Sequence, residues 1–319
     1  MLRSLRISSR KSSLAKLQSY LVAQEIAKLF PNLQIEFIFK ESTGDKDLQS
    51  PLWKMPEKGV FTRDFREDLL QNKTDVVIHS YKDLDLEKSD GTEIMSVLKR
   101  ADPRDILLFK KIFFLRPDFS NLKILTSSPR REYNLKKFFS YALPLRLQSK
   151  NLVFEPVRGN IQTRISKWFE SNDFQGIVLA KAALDRLLSI GLSEAEENEY
   201  SEIRKNLRYF LNDSMFMCLP LSANPNAPAQ GALAAEFRTE DEEIKKIISK
   251  ISDNNTNESV ADEREILKSF GGGCHQKIGV SVFKKHYGKI KILKGVSDKG
   301  NALDEISLSS NRFDRENKI

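Results

Sequence analysis

The sequence predicts an α/β protein with two lobes around a cleft, followed by a small C-terminal α+β domain. At 319 residues the chain is too long for one ordinary hydrophobic core. A pattern of strand, hydroxyl side chains, arginine and helix occurs twice, at residues 5–13 and again at 122–131. The C-terminal region differs, because one helix is followed there by three strands of alternating polarity.

Composition excludes several classes of protein. Hydrophobic residues make up 40% of the chain and charged residues 30%, which is typical of a soluble globular protein. No run of about 18 apolar residues occurs, so we expect no membrane-spanning helix. The N-terminus lacks the apolar segment of a signal peptide. Cys218 and Cys274 are too few for a disulfide framework, and we expect a cytoplasmic protein with reduced thiols.

The net charge of +8 makes nucleic acid one candidate ligand. The basic residues are scattered along the whole chain, however, and neither a stacking-aromatic motif nor a Cys/His zinc spacing occurs. A polyanionic small molecule is an equal candidate, because arginine binds carboxylates through paired hydrogen bonds. Only three histidines are present and no HExxH pattern occurs, so we expect no metal site.

The first lobe begins with a strand at residues 5–9 and a long helix. Ser12 is a good N-cap for this helix, and Arg10 lies beside it. A helix N-terminus with an arginine nearby makes an anion-binding site. An ordinary helix cap beside a surface arginine would give the same pattern.

The next segments contain a strand, a loop and a helix. Alternation predicts the strand at residues 33–39. Residues 41–60 are polar and predict a long mobile loop, which in a compact domain is usually a lid or disordered. Phe61, Phe65 and Leu69 then recur at the spacing of one helix face.

Asp83 is the candidate catalytic residue. The β-branched residues 76–78 predict a buried strand, and the chain becomes polar where this strand ends. Ligands bind at the carboxyl ends of the strands in open α/β sheets. We therefore expect Ser80, Lys82 and Asp83 at the floor of a cleft.

The second lobe follows a charged, proline-containing hinge at residues 99–105. A strand is predicted at residues 106–109, and another at residues 122–125 leads into a helix. The start of that helix contains five candidate binding residues, Thr126, Ser127, Ser128, Arg130 and Arg131.

Three more arginines lie at later junctions between strands and helices. Arg158 precedes a helix, and Arg164 lies within it. A buried strand at residues 176–180 precedes the helix that contains Arg186. Any one of these arginines is most simply a surface residue, but six arginines at such junctions indicate an anion-binding cleft.

The remaining segments return the chain to the first lobe and form the third domain. Residues 190–215 are predicted to be a weakly helical surface insertion, and residues 225–231 the returning hinge. A helix at 240–251 and a polar linker at 253–257 follow. The C-terminal domain is predicted from one helix and three strands, at residues 259–269, 278–283, 289–295 and 303–308.

Cys274 is the candidate attachment point for a cofactor or ligand. It directly follows three glycines, which let the backbone approach a ligand closely, so we expect the thiol on a flexible arm. A buried structural thiol is the alternative.

These observations predict three domains. The first lobe comprises residues 1–99 plus 231–252, and the second comprises residues 104–222. The second lobe is expected to contain insertions near 132–157 and 190–215. Residues 255–319 form the predicted α+β domain that carries the cofactor.

Eight short stretches together resemble the porphobilinogen deaminase (hydroxymethylbilane synthase) family, and the resemblance covers nearly the whole chain. They are Arg6-Ile7 through Arg10 with Ser12-Ser13-Leu14-Ala15; Lys58-Gly59-Val60-Phe61; His79-Ser80-Tyr81-Lys82-Asp83; Asp102-Pro103-Arg104-Asp105; Thr126-Ser127-Ser128-Pro129-Arg130-Arg131; Arg158-Gly159-Asn160 with Thr163-Arg164; Gln230-Gly231-Ala232; and Gly272-Gly273-Cys274. Each is a weak pattern alone, and their order along the chain makes the set specific.

The resemblance implies a fold of two type 2 periplasmic-binding-protein-like lobes around a cleft plus a small C-terminal α+β domain. It also implies an activity, the head-to-tail condensation of four porphobilinogen molecules into hydroxymethylbilane with release of ammonia, in haem biosynthesis. The expected partner is the small-molecule substrate porphobilinogen, and no binding to nucleic acid or to a membrane is expected. The expected state is a cytoplasmic monomer.

The resemblance further implies roles for individual residues. Cys274 would hold a dipyrromethane cofactor through a thioether bond, and Asp83 would be the catalytic carboxylate. The implied cofactor contacts are Lys82, Asp83, Ser128, Arg130 and Arg131. The implied substrate-binding residues are Arg10, Ser12, Lys58, Ser80, Lys82, Thr126, Ser127, Ser128, Arg130, Arg131, Arg158, Arg164 and Arg186.

Several positions differ from the family pattern, namely Asp85, Leu125, Gln162, His275 and Lys277. None removes a named catalytic group, but a degenerate deaminase remains an alternative. A non-catalytic bilobed receptor for a small anion is another, and it predicts no covalent adduct on Cys274. A basic nucleic-acid-binding protein would instead show binding that weakens steeply with salt.

Overall fold

The computed structural model describes residues 2–41, 62–87, 89–189, 194–272 and 276–310, and its strands form three sheets. The first sheet contains β1 (Ser4–Arg10), β2 (Gln34–Lys40), β3 (Val76–Ser80), β4 (Thr92–Val97) and β10 (Leu233–Arg238). The second contains β5 (Asp105–Lys110), β6 (Asn121–Leu125), β7 (Asn151–Glu155), β8 (Gly176–Ala180) and β9 (Ser214–Cys218). The third contains β11 (Lys277–Lys285), β12 (Gly288–Val296) and β13 (Ala302–Ser310).

Helices connect and cover these sheets. Those of the described residues are α1 (Ser13–Leu29), α2 (Arg63–Leu70), α3 (Lys111–Leu115), α4 (Pro129–Ala142), α5 (Leu145–Gln148), α6 (Ile161–Glu170), α7 (Lys181–Leu188), α8 (Glu194–Asn212), α9 (Glu242–Lys250) and α10 (Asn254–Ser269). Side-chain caps begin several of them. Ser12 accepts from the N–H of Ala15 at the start of α1, and Asn160 accepts from the N–H of Thr163 at the start of α6.

The first two sheets have the same strand order. Their orders are β2-β1-β3-β10-β4 and β7-β6-β8-β5-β9. In each sheet the first three strands run parallel, and the fourth is antiparallel to both of its neighbours. That fourth strand directly follows a crossing of the chain between the lobes. The predicted fold class is confirmed: two type 2 periplasmic-binding-protein-like lobes and a small domain with an antiparallel sheet.

Every predicted strand overlaps an observed one, but four observed strands were not predicted. These are β4, β7, β9 and β10. β10 shows why alternation fails, because all six of its residues are buried and Glu236 and Arg238 are among them. Both charges are paired inside the lobe, Glu236 with Arg66 and Arg238 with Asp75. Glu236 and Arg238 lie on one face of the strand, and since both faces are buried, the strand shows no alternation of apolar and polar residues.

The polar linker predicted at residues 253–257 is instead the beginning of α10. Asp253 caps this helix, because its carboxylate accepts from the N–H and the hydroxyl of Thr256 at 2.8 and 2.6 Å. The run of asparagines after Asp253 resembles a linker in composition, but the cap satisfies the first turn of a helix there.

The surface insertion predicted at residues 190–215 is also corrected. Most of it is the 19-residue helix α8, one face of which is buried. Tyr200 and Leu207 of α8 pack in one core cluster with Leu17 and Tyr20 of α1, so this helix joins the two lobes. The Tyr200 hydroxyl donates to the carbonyl oxygen of Ser13 at 2.7 Å.

The two crossings between the lobes lie against each other. Ala101 of the first crossing donates its N–H to the carbonyl oxygen of Gly231 in the second at 3.1 Å. Gly231 has φ +88°, and a Cβ there would lie 2.5 Å from the carbonyl oxygen of Ala101. Only glycine allows this close approach. Arg100 adds a bond from its Nε to the carbonyl oxygen of Gln230 at 2.9 Å.

Glu263 of α10 attaches the third domain to both crossings. Its side chain is fully buried, and its carboxylate accepts two hydrogen bonds from the Arg100 guanidinium at 2.9 and 2.8 Å. The same carboxylate accepts from the side-chain amide of Asn226 at 3.1 Å and from the N–H groups of Ala229 and Val282 at 2.8 and 2.9 Å. Both crossings and the third sheet therefore share one buried charge.

We expect the substitution Glu263→Gln to destabilise the protein strongly. Removing one partner of a buried ion pair leaves the other charge uncompensated, which typically costs about 3–5 kcal/mol of unfolding free energy. Urea unfolding of the purified variant measures this loss. Glu258→Gln is the matched control, because Glu258 lies on the same helix but forms an exposed pair with Lys284. The urea midpoint of the control should stay near that of wild type. Equal midpoints for both variants would contradict the role of Glu263.

Candidate active site

Asp83 lies in a short turn at the carboxyl end of β3. Residues Tyr81–Asp83 form one 3-10 turn, which is closed by the N–H of Leu84 donating to the carbonyl oxygen of Tyr81 at 3.2 Å. Asp83 is exposed, as a carboxylate that meets a ligand must be. Ser80 precedes the turn, and its hydroxyl donates to the side-chain carbonyl of Gln18 in α1 at 3.0 Å.

Arg164 of the second lobe lies near this carboxylate and near arginines of both lobes. Its pKa is lowered to about 10, mainly by burial and also by repulsion from Arg131, Arg158 and Arg10, while Asp83 opposes the shift. These five groups act on one another only because they lie close together. Arg10 and Asp83 belong to the first lobe and the other three to the second, so the predicted cleft brings them together.

Lys82 belongs to the same cluster. Burial lowers the pKa of its ammonium group, Asp83 raises it, and the neighbouring Arg131 and Arg164 lower it. Asp105 also raises this pKa, so the ammonium group lies among both guanidinium groups and carboxylates. We define the cleft cluster as Arg10, Lys82, Asp83, Arg131, Arg158 and Arg164. Its surplus of cations around one carboxylate suits a ligand that carries several carboxylates.

Arg164 is held in place by its own loop. Its Nε donates to the carbonyl oxygen of Gly159 at 2.6 Å, just before α6 begins. Gly159 has φ +113°, which favours glycine and turns the chain so that its carbonyl meets the guanidinium. The Arg-Gly-Asn stretch of the sequence therefore caps α6 and fixes Arg164.

Arg130 and Arg131 are buried and share one carboxylate that was not among the predicted site residues. Asp105, the first residue of β5, accepts from Arg130 at 2.8 Å and from Arg131 at 2.7 Å. Burial raises the pKa of Asp105, but the two guanidinium groups outweigh it and hold the pKa far below its usual range. Asn224 and Gln230 also donate to Asp105, both at 2.8 Å.

These contacts do not involve every N–H group of the two guanidinium groups. The Nε atoms of Arg130 and Arg131 are buried and have no hydrogen-bond partner among the described residues. A buried donor without an acceptor is unfavourable by about 1–3 kcal/mol. Burying these two donors is therefore part of the cost of fixing the cluster of Arg130, Asp105 and Arg131 inside the second lobe.

The predicted hydroxyl residues of the second lobe support the loop before α4. Ser127 and Val157 bond reciprocally, with the Ser127 hydroxyl donating at 2.7 Å and accepting at 2.8 Å. Ser128 caps α4 by accepting from the N–H of Arg131. Thr126 accepts from the N–H of Ser128 at 3.3 Å. These bonds orient the segment from which Arg130 and Arg131 extend.

Arg186 is placed differently from the other arginines. Its guanidinium donates to the carbonyl oxygen of Gly231 at 2.7 Å, so it contacts the second crossing. Burial lowers its pKa to about 10, with Asp185 opposing the shift. Two further predicted residues, Lys58 and Cys274, lie outside the described residues, as does His275.

Sequence reasoning missed Asp105, Arg100, Glu263 and Arg264, the last of which contacts the Asp83 turn. Asp105 was interpreted as part of a hinge and of one stretch of the family resemblance and was given no role, although a charged residue directly before an apolar strand is a detectable signal. The position of Glu263 is also a detectable signal in the sequence. It interrupts the apolar positions Val260 and Leu267 on the buried side of α10.

Two further features of the described residues concern metal binding and membrane insertion. The described part of the chain contains no group of three or more His, Cys, Asp or Glu side chains that could hold a metal ion. None of its helices combines the length and the apolar character that crossing a membrane requires.

Two solved structures show distant similarity to this chain. The effector binding domain of a BenM variant has a TM-score of 0.37 and 15% identity, with 85% of this chain and 98% of that chain covered. CbnR, a LysR family transcriptional regulator, has a TM-score of 0.39 and 8% identity, covering 79% and 70%. At these scores the fold assignment rests on the strand order instead.

Comparison with protein sequences gives close relatives. A porphobilinogen deaminase of Caldicellulosiruptor saccharolyticus is 35% identical over 282 residues, which are 88% of this chain and 84% of the relative. That of Prochlorococcus marinus is 34% identical over 280 residues, 87% and 78% of the two chains. A probable porphobilinogen deaminase of Sulfurisphaera tokodaii is 36% identical over 283 residues, 88% and 82%. The family model for the porphobilinogen deaminase dipyrromethane cofactor binding domain matches residues 5–246, and the chain therefore belongs to the porphobilinogen deaminase family.

Proposed function

We propose that the cleft cluster binds the carboxylates of porphobilinogen and of the growing product, with Asp83 as the catalytic carboxylate. As a member of its family, the chain is a transferase of tetrapyrrole biosynthesis that condenses four porphobilinogen molecules into hydroxymethylbilane with release of ammonia. One observation carries the assignment of roles. Arg164 lies within electrostatic range of the exposed Asp83 carboxylate, and also of Arg10, Arg131 and Arg158, which come from both lobes.

Each group in the cluster suits one part of this reaction. Loss of ammonia from a porphobilinogen leaves an electron-poor pyrrole cation. A carboxylate that is fixed on a turn stabilises such a cation without reorganising, which is an efficient form of electrostatic catalysis. Each added ring brings two more carboxylates, and arginine binds these through charge-assisted hydrogen bonds. The same arginines exclude a purely apolar ligand.

The described residues fit a dipyrromethane cofactor. The cations of the cleft cluster would bind its carboxylates, and two of them, Arg158 and Arg164, are only half-buried. Lys82 lies within electrostatic range of Arg131 and would bind a second carboxylate. When bound, the cofactor supplies a covalent anchor that keeps intermediates from leaving the enzyme between condensations. We assign its attachment to Cys274 through a thioether.

Other assignments stay predictions. We propose that Ser12, Lys58, Ser80, Arg186 and the hydroxyls at 126–128 complete the substrate-binding set. The domain boundaries at 1–99 plus 231–252, 104–222 and 255–319 are proposed from the residues that share a sheet. The monomeric state and the cytoplasmic location are likewise expectations from the family resemblance.

Asp83→Asn should fold normally and lose most of its turnover. The amide is nearly isosteric but carries no charge, and loss of one preorganised electrostatic group typically lowers kcat about a hundredfold or more. Steady-state consumption of porphobilinogen measures the effect. Asp85→Asn is the control, since it removes a carboxylate two residues away. Turnover of Asp83→Asn within a few-fold of wild type would exclude Asp83 as the catalytic carboxylate.

Arg130→Leu and Arg158→Leu should fail in different ways. Arg130→Leu leaves Asp105 buried with only one guanidinium partner, so the unfolding free energy should fall by about 3–5 kcal/mol. Arg158 is half-buried beside the cleft, and its loss should leave the urea midpoint nearly unchanged. A lost charge-assisted bond of about 1.5–3 kcal/mol should instead raise KM or stall the product at partial length. Native mass spectra resolve the stalled adducts; equal stability of the two variants would contradict the buried role of Arg130.

The intact mass of the protein tests the cofactor assignment directly. Freshly purified protein should exceed its sequence mass by one dipyrromethane unit, and proteolysis should locate that mass on the Cys274 peptide. Only a thiolate is nucleophilic enough for this attachment, so Cys274→Ala should lose the adduct. It should also unfold more easily, because a ligand bound only by the folded state adds stability. Cys218→Ala should keep both adduct and activity. Unmodified Cys274, even after incubation with porphobilinogen, would favour the anion-receptor alternative.

A further inference from the structure

The turn that carries Asp83 is held by a residue of another domain. Arg264 of α10 donates to the carbonyl oxygen of Leu84 at 3.1 Å and also to that of Asp85. Its guanidinium carbon lies 4.8 Å from the centre of the Tyr81 ring, within the range of a cation–π contact. Arg264 therefore contacts the chain on both sides of Asp83, at Tyr81 before it and at Leu84 and Asp85 after it.

The turn has further contacts that fix its position. The N–H of Tyr81 donates to the carbonyl oxygen of Ala232 at 3.1 Å, and the Tyr81 ring packs against Ala229, Ala232 and Val260. Burial raises the pKa of Tyr81, and the nearby Arg264 opposes that shift. Leu86, on the other side, packs into the core of the third domain.

These contacts need the shape of arginine. A planar guanidinium can lie over an aromatic ring and direct several N–H groups at carbonyl oxygens at the same time. An ammonium group is a point charge on a flexible stem and makes only part of this set. The bonds to carbonyl oxygens also fix the backbone itself, so they restrict the peptide units that set the direction of the Asp83 side chain.

We propose that Arg264 is a positioning residue for the family reaction and holds the Asp83 carboxylate in its productive orientation from the third domain. The inference rests on the proposed role of Asp83. Arg264 directly follows Glu263, which attaches the third domain to both crossings. Adjacent residues of one helix therefore fix the hinge and the catalytic turn relative to each other.

Arg264→Gln tests the inference in the cofactor-loaded enzyme. The intact mass should be that of the loaded protein, and KM should change by less than about twofold, because the cleft cluster is intact. The value of kcat should fall roughly ten- to a hundredfold, as a displacement of about 1 Å is enough for such a loss. Arg264→Lys should recover part of kcat. Lys268→Gln removes an exposed cation of the same helix and should match wild type.

A double variant separates positioning from a general effect on stability. If Arg264 acts through Asp83, then Asp83→Asn with Arg264→Gln should be no slower than Asp83→Asn alone, within about twofold. Losses that multiply would overturn the inference, as would a wild-type kcat in folded Arg264→Gln. Should Arg264→Gln fail to fold, Arg264→Lys replaces it in the same comparison. Wild-type turnover of Asp83→Asn would instead overturn the proposed catalytic role and this inference with it.

Discussion

The buried carboxylate of Glu263 determines how the three domains are joined. A fully desolvated charge is tolerated only when its oxygens are surrounded by donors, and these donors come from three separate segments. Arg100 belongs to the first crossing, Asn226 to the second and Val282 to the third sheet. If any of these segments moved away, the Glu263 carboxylate would be left buried without some of its donors. The third domain must therefore move together with the hinge when the lobes open or close.

Four arginines of the second lobe form two groups that cannot be distinguished in the sequence. Arg130 and Arg131 are paired in the interior with Asp105, and their guanidinium groups are thereby fixed as part of the second lobe. Arg158 and Arg164 remain half-buried at the mouth of α6, where they face other cations. The first group supplies rigid donors at a defined place, and the second supplies charge that a ligand can neutralise.

Local sequence patterns were sufficient for nine of the thirteen strands in the described part of the chain. The capped helix at Ser12 and the buried strand before Asp83 each follow from a few neighbouring residues. The family resemblance added the roles, since no local pattern distinguishes a catalytic aspartate from a charged turn. What could not be predicted depends on contacts between residues far apart in the chain. Glu263 and Arg264 meet their partners across some 160 to 180 residues, and no local periodicity records such a pairing.

The cleft cluster also explains why an anionic ligand should be bound tightly without a large apolar pocket. The cations of the cluster repel one another, and this repulsion contributes to the lowered pKa of Arg164 and of Lys82. A ligand with several carboxylates would reduce this repulsion. The folded state alone offers this arrangement, so binding adds directly to its stability. The mutual repulsion of these cations is therefore a source of affinity for a polycarboxylate.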